Sequence, residues 1–115
     1  MEYGVMDTEE KKTFIINSVI YETFFDRDAE KALITPCASV DTNAEMTLIG
    51  CLKVDNHELI PSFRVCLSKG NSPFRLKPVK IIRPLPSPHL YRMELFFSSD
   101  GLNYHTESSE ISIVF

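Results

Sequence analysis

The sequence lacks any long apolar run. No stretch approaches the roughly 18–20 consecutive apolar residues that a membrane-spanning helix needs. The first residues, MEYGVMDTEEKK, carry acidic side chains where a secretory signal peptide carries basic ones followed by an apolar core. We therefore expect a chain without a membrane span or a signal peptide, retained in the cytoplasm or the nucleus.

Paired cysteines are also missing. The chain has three cysteines, an odd number, at Cys37, Cys51 and Cys66, and no Cys-x-x-Cys pair. Asn-x-Ser/Thr glycosylation sequons are absent as well. This pattern fits a reducing compartment, and it predicts free thiols instead of a disulfide framework.

Local motifs for metal binding and catalysis are absent too. The three histidines have no His-x-His or His-Glu-x-x-His spacing, so no metal site is predicted. There is no Gly-x-Ser-x-Gly elbow, and the four glycines form no phosphate-binding loop. A catalytic Cys66 or His89 stays open, although Cys66 lies inside a predicted strand, where an inert residue is expected. We predict that the chain is not an enzyme and takes no cofactor.

The apolar residues that are present suffice for one core. Of the 115 residues, 43% are hydrophobic, and they include eight Phe and four Tyr. This composition predicts a single globular domain over residues 1–115. Residues 1–12 are expected to form a flexible or helix-leading N-terminus.

Residues 13–25 fit two secondary structures. Asp7 and Glu10 resemble a helix capping box. Apolar residues follow at helical spacing, at Ile15, Ile16, Val19, Ile20 and Phe24. The segment is also rich in β-branched and aromatic residues, which favour strands, so both structures are kept. Residues 26–45 then predict a connector with a short strand at 32–35.

After residue 45 the pattern is that of β-strands. Apolar residues alternate in MTLIGCLKV and SFRVCLS around the turn DNHE, which predicts a β-hairpin with Leu52 opposite Phe63. The segment LYRMELFFSSDGLNYHTESSEISIVF alternates in the same way around SSDG. Between these hairpins, five prolines in PFRLKPVKIIRPLPSP predict an edge strand or an extended loop, with 79–82 as its compact apolar run.

Strands joined by short turns, without strand–helix alternation, predict a mainly β fold. We expect an antiparallel β-sandwich, immunoglobulin-like or discoidin-like, with one N-terminal α-helix packed on the sheet if residues 13–25 are helical. The segment MELFFSSDGLNYHT, fourteen residues, resembles a hairpin of discoidin-type β-sandwich domains, with Tyr104 in place of the usual Trp. The resemblance implies a sandwich, and discoidin-type domains bind carbohydrate, lipid or protein through loops.

The charges are segregated along the chain. Residues 59–93 carry seven basic residues and no acidic one, whereas the flanking segments are net acidic. The candidate binding residues come from this part of the chain: Arg64, Lys69, Phe74, Arg75, Lys77, Lys80, Arg83, Tyr91 and Arg92. The basic side chains could pair with the domain's own acids across strands, at roughly 0.2–1 kcal/mol per pair, or bind an acidic partner.

We predict a non-enzymatic interaction module that binds another protein, one with an acidic surface. The contact would use the basic 64–92 surface or an exposed sheet edge, at the proline-rich stretch or the last strand, where β-augmentation or homo-oligomer formation is open. The alternative is a single-stranded nucleic-acid binder with an OB-like fold that uses the same residues. Against it stands the pI of about 5.3, well below that of dedicated nucleic-acid binders.

Overall fold

The computed structural model describes residues 11–82 and 89–113. Within these ranges every regular element is a β-strand. The strands are β1 (Phe14–Asp26), β2 (Lys31–Thr42), β3 (Met46–Val54), β4 (His57–Leu67), β5 (Gly70–Arg75), β6 (Val79–Ile82), β7 (His89–Ser98) and β8 (His105–Ile113). The prediction of a mainly β fold is confirmed.

The strands form two antiparallel sheets. Sheet A has the order β1-β2-β5, and β6 also pairs with β2, so that β5 and β6 share one edge. Sheet B has the order β4-β3-β7-β8. Buried side chains of both sheets meet in one core, which fits the predicted β-sandwich. The OB-like alternative does not match two separate sheets, since that fold is a five-stranded barrel. The immunoglobulin-like or discoidin-like subtype stays a prediction.

Strand β1 decides between the two structures predicted for residues 13–25. The segment pairs with β2 along its whole length, from Phe14 opposite Thr42 to Asp26 opposite Lys31. The predicted helix is therefore wrong for these residues, because their β-branched and aromatic side chains favour a pleated strand. The expected helix cap lies outside the described residues.

The side chains of β1 divide between the two faces of sheet A. A β-bulge at Asn17 lies between Ile16 and Val19, and both of these pack against the core. Three further apolar side chains point away from the core, and they are strongly exposed: Ile15 (65%), Ile20 (58%) and Phe24 (63%). The residues that suggested one helical face thus lie on opposite faces of a strand.

Strand β2 replaces the predicted connector. It has 12 residues in the centre of sheet A, and buried side chains alternate with more accessible ones. Pro36 argues against a central strand at the level of sequence, because proline cannot donate a hydrogen bond to a neighbouring strand. Its carbonyl accepts a hydrogen bond from Leu76 N at 2.9 Å. The Pro36 backbone therefore faces the gap between β5 and β6, where no ladder donor is required.

The predicted β3–β4 hairpin is confirmed, with a different register. Gly50 lies opposite Phe63, and Leu52 lies opposite Ile60. The expected pairing of Leu52 with Phe63 is wrong because it would leave six residues, 55–60, between the paired strands. The turn has only two, at 55–56, with the positive φ values of 49° and 70° that favour a tight hairpin. Two bulges shift the register further.

Close packing requires a glycine at the centre of sheet B. The rings of Phe63 and Phe97 meet edge to face, with their centroids 5.8 Å apart. A Cβ atom at Gly50 would lie 1.8 Å from the carbonyl oxygen of Phe96 and 2.6 Å from the Phe63 ring. Phe97 itself is fully buried, so this contact lies in the middle of the core.

The predicted β7–β8 hairpin is also confirmed. Asp100 organises its loop by accepting hydrogen bonds from the N–H groups of Asn103, at 2.8 Å, and Leu102, at 2.7 Å. These bonds hold the pKa of the Asp100 carboxyl well below its usual range. Gly101 follows with a φ of 76°, a conformation that glycine adopts readily.

Candidate binding surfaces

The basic segment does not form one continuous surface. Arg75 and Lys80 pair with outward-facing residues of β2, on the face of sheet A that points away from the core. Arg64 and Arg92 lie on the outer face of sheet B, on the opposite side of the sandwich. A ligand lying in one groove cannot contact both pairs.

The two aromatic candidates point inward. Tyr91 is 5% exposed and belongs to the core, and Phe74 packs against that core from β5. The prediction that Tyr91 is a binding residue is therefore wrong, because its ring is buried between the sheets. Lys69 and Lys77 lie in the connections on either side of β5, and Arg83 lies outside the described residues.

Some of the basic charge is paired within the domain. The Arg75 guanidinium contacts the Glu22 carboxylate across β2, with Nη1 to Oε1 at 3.0 Å and Nη2 to Oε2 at 3.1 Å. Arg92 lies 3.7 Å from Glu94. Pairing with the domain's own acids across strands is therefore observed for Arg75, whereas Arg92 lies near an acid of its own strand. For Lys80, no carboxylate of residues 11–82 and 89–113 lies within ion-pair distance.

Three of the four sheet edges carry features that hinder pairing with another chain. The β5/β6 edge is interrupted and contains Pro73 and Pro78. Strand β4 contains Pro61 and two bulges, and β8 carries Glu107 and Glu110. Prolines, bulges and charged side chains are the usual means by which proteins protect an edge strand.

Strand β1 has less of this protection, and its one bulge, at Asn17, lies near its start. It is an edge of 13 residues without proline, and from Phe14 to Phe25 its one charged side chain is Glu22. The backbone edge of residues 14–25 and the exposed side chains of Ile15, Ile20 and Phe24 are termed the β1 surface. Sequence reasoning placed the exposed edge elsewhere, at the proline-rich stretch or the last strand.

The open side of the β1 backbone follows from the pairing of β2. Successive residues of a strand direct their N–H and C=O groups to opposite sides. Pro36 directs its carbonyl to Leu76, on the β5/β6 side. Its neighbours Thr35 and Cys37 therefore direct theirs to β1, where they pair with Glu22 and Ile20.

The same alternation then applies along β1. Ile20 and Glu22 direct their N–H and C=O groups to β2, because they lie opposite residues that point toward them. Val19, Tyr21 and Thr23 direct theirs to the other side, which is the open edge of sheet A. These three residues offer a new strand its hydrogen-bonding groups.

Tyr21 packs across the sandwich from this edge. Its hydroxyl is buried near Ser109 of β8, and no hydrogen bond of good geometry reaches it from the described residues. Burial raises the pKa of the Tyr21 phenol to about 12, with Ser109 opposing the rise and the Glu107 carboxylate adding to it. The contact between β1 and β8 therefore depends on packing of a neutral phenol.

His89, a candidate catalytic residue, has structural contacts. Its Nε2 lies 3.0 Å from Asp55 Oδ2, and its ring packs edge-on against Tyr91. The Arg92 N–H donates to Asp55 Oδ1 at 2.8 Å. Burial opposes ionisation of Asp55, but the bonds from Arg92 and His89 and the charge of His57 outweigh it and lower the pKa. Together these contacts fasten the start of β7 to the β3–β4 turn.

In two of the cysteines the surroundings disfavour the thiolate, which is the nucleophilic form. Burial raises the pKa of the Cys37 thiol, and the nearby Glu22 carboxylate adds to the rise. Burial and Glu58 raise the pKa of the Cys51 thiol in the same way. Cys66 is exposed, and all three cysteines are free, as predicted.

The described ranges contain neither a metal-binding cluster nor a membrane-spanning helix. Residues 11–82 and 89–113 hold no group of three His, Cys, Asp or Glu side chains arranged to bind a metal ion. The same part of the chain has no helix of the length and apolar character that crossing a membrane requires.

Comparison with known proteins identifies solved structures with a similar fold, but it identifies no family. No protein family and no curated protein matches the sequence. The chain is similar to exo-chitosanase CsxA of Amycolatopsis orientalis, with a TM-score of 0.70 and 17% identity over 87% of this chain. A variant of that enzyme in complex with PNP-β-D-glucosamine gives a TM-score of 0.71.

A second glycosidase has a similar portion. A calcium-binding mutant of β-glucuronidase 2 from Bacteroides uniformis matches 90% of this chain, with a TM-score of 0.57 and 16% identity. This chain covers 13% of each of these glycosidase chains. At such low identity the likeness supports the β-sandwich fold and nothing finer.

Proposed function

We propose that this chain is a non-enzymatic β-sandwich module that binds another protein along the β1 surface. The observation that carries the proposal is a 13-residue edge without proline that also bears three apolar side chains, each more than half exposed. Unprotected edges and exposed apolar patches are features by which proteins recognise other chains. The similar part of the glycosidases is 13% of their length, which supports a role for this fold as a component of a larger whole.

The partner segment would add to sheet A as an extra strand. Its backbone would form hydrogen bonds with Val19, Tyr21 and Thr23, whose groups face the open edge. Main-chain bonds supply affinity in this mode of binding, and side chains supply specificity. On the outer face, apolar side chains of the partner would cover Ile20 and Phe24, which are 58% and 63% exposed.

The outer face of sheet A favours a partner that is both apolar and acidic. Phe24 lies in one row with Leu33 and Lys80 across the sheet. Lys31 lies in the neighbouring row, between Ile82 and Asp26 of β1. An acidic group placed beyond the apolar contact would meet Lys80, and such complementarity favours correct association.

Single-stranded nucleic-acid binding has less support. That function needs a continuous basic groove with exposed aromatic rings. Arg64 and Arg92 lie on the opposite face from Lys80, and Tyr91 is in the core. We expect no binding of a fluorescent oligonucleotide at low salt.

Affinity capture with matched variants tests the proposed function. The immobilised chain is incubated with an extract of its native cell, and retained proteins are quantified by mass spectrometry. Thr23→Pro removes an N–H group at the open edge, and Phe24→Glu places a charge in the apolar patch. A protein retained by the wild type should be lost with both variants, and the purified protein should show the same order of affinities.

Leu90→Glu is the matched control. Leu90 is 59% exposed, close to the value for Ile20, and it lies on β7 in sheet B. The partner should still bind this variant. Equal loss with Leu90→Glu and Phe24→Glu, or retention by both β1 variants, would contradict binding along the β1 surface.

A further inference from the structure

An open slot separates β6 of sheet A from the β3–β4 hairpin of sheet B. Its volume of about 440 Å³ lies within the range of about 300–1,000 Å³ typical of small-molecule sites. Its walls are mainly aliphatic, with Val54 and Leu59 on the hairpin side and Ile81 and Ile82 on the β6 side. The slot is distinct from the β1 surface, because β6 and β1 lie on opposite sides of β2.

The slot holds apolar side chains that remain in contact with water. Leu59 is 37% exposed and Ile82 is 65% exposed. The aromatic ring that lines the slot, Tyr91, is only 5% exposed and offers little surface for stacking. An aliphatic group would therefore cover Leu59 and Ile82 better than a planar one, and the gain would come from apolar area removed from water.

One ammonium group lies at the slot. Lys80 belongs to β6, and it forms no ion pair within the described residues. Asp55 is the one acidic residue of the slot. Its two oxygens are already engaged, by the Arg92 N–H at 2.8 Å and by His89 Nε2 at 3.0 Å. The group available to an anion is therefore the Lys80 ammonium.

We propose that this slot binds a medium-chain aliphatic carboxylate. The aliphatic chain lies against Leu59 and Ile82, and the carboxylate contacts the Lys80 ammonium at the mouth. Apolar walls with a few convergent polar groups are the usual composition of such sites. The proposal uses none of the residues of the β1 surface, although it shares Lys80 with the face proposed to meet the partner's acidic group. Binding of a carboxylate to the chain alone therefore tests the slot separately from partner binding.

Binding of decanoate to the whole chain tests the proposal. The fatty acid is titrated below its micellar concentration, and binding is followed by calorimetry and by NMR shifts of Leu59 and Ile82. Saturable binding of one decanoate per chain is expected. Decanol, which lacks the charge, should bind about tenfold more weakly, in line with the strength of a charged hydrogen bond.

Variants of neighbouring lysines locate the carboxylate. Lys80→Gln should weaken decanoate binding about tenfold. Lys77→Gln is the matched control, because Lys77 belongs to the same basic segment and does not line the slot. Leu59→Asp should abolish binding by placing a charge on the apolar wall. Absence of saturable binding, equal affinity for Lys80→Gln and wild type, or shifts confined to β1 would overturn the proposal.

Discussion

Strand β1 and the β5/β6 edge bound the same sheet, and they differ in length, in proline content and in exposed apolar surface. Strand β1 is a single run of 13 residues without proline, with Ile15, Ile20 and Phe24 more than half exposed. The opposite edge consists of strands of 6 and 4 residues with Pro73 and Pro78 in and between them.

This difference reverses the expectation raised by the sequence. Prolines and basic residues stand out in residues 69–92, yet in an edge strand both features hinder pairing with another chain. The open edge belongs to residues 14–25, whose composition is that of an ordinary strand. The part of this segment that lies in sheet A, residues 70–82, thus forms the protected edge, and residues 14–25 form the accessible one.

The largest expected effect separates the core of sheet A from the β1 surface. Ile34→Ala in β2 removes a fully buried side chain, so we expect the free energy of unfolding to fall by about 2–5 kcal/mol. Ile20→Ala, at a residue that is 58% exposed, should cost less than about 1 kcal/mol. Urea unfolding followed by circular dichroism measures both. Equal losses would show that Ile20 supports the fold and is not free for a partner.

A pair of proline variants tests the direction of the β1 backbone. Ile20→Pro removes an N–H group that faces β2, which should cost about 1–3 kcal/mol because the acceptor on β2 loses its donor. Thr23→Pro removes an N–H group at the open edge and should cost about 1 kcal/mol or less. Thermal unfolding of the two variants compares them. The reverse order would contradict the alternation derived from Pro36 and Leu76.

Alkaline pH should weaken the contact between β1 and β8. Burial raises the pKa of the Tyr21 phenol to about 12, above the ordinary value of 10.0, so the folded state favours the neutral form. The stabilisation is complete below pH 10.0 and declines as the pH rises toward about 12. Tyr21→Phe should show a shallower loss of stability over this range. Tyr104→Phe, at a half-exposed residue, serves as the control and should behave as the wild type.

The smallest effect is expected for the ion pair that joins the two edges of sheet A. Glu22 and Arg75 contact each other at 3.0 Å, with side chains that are 47% and 67% exposed. A double-mutant cycle with Glu22→Gln and Arg75→Gln should give a coupling energy of about 0.2–1 kcal/mol, and less at high salt. A coupling well above this range would mean that Arg75 is committed to the fold.

The sequence allows β3, β4, β7 and β8 to be predicted, because each alternates apolar and polar residues. Strand β1 is ambiguous for a physical reason: the bulge at Asn17 sets the inward residues Ile16 and Val19 three apart, a spacing that a helix also produces. Strand β2 is predicted only in part, at residues 32–35, because Pro36 is typical of a break in a strand. Pro36 is tolerated because it lies opposite the gap between β5 and β6. That position depends on which strands pair, and the local sequence pattern does not show this pairing.

The candidate site is less accessible to sequence reasoning than the fold. The basic segment is visible in the sequence, but the distribution of its side chains over two faces depends on which strands pair. Ile20 and Phe24 are exposed because β1 is an edge strand and no other described residues cover its outer face. The position of Leu59 in the slot depends on a bulge in β4, which shifts the register without a strong sequence signal.

Amide hydrogen exchange of the free chain tests the open edge of β1 most directly. The N–H groups of Ile20 and Glu22 face β2 and should exchange slowly, whereas those of Tyr21 and Thr23 should exchange fast. Residue-resolved NMR records all four rates in one experiment. Alternating slow and fast exchange is the result that the account predicts. Equal protection of all four amides would show that the edge is already paired and would contradict the proposed binding surface.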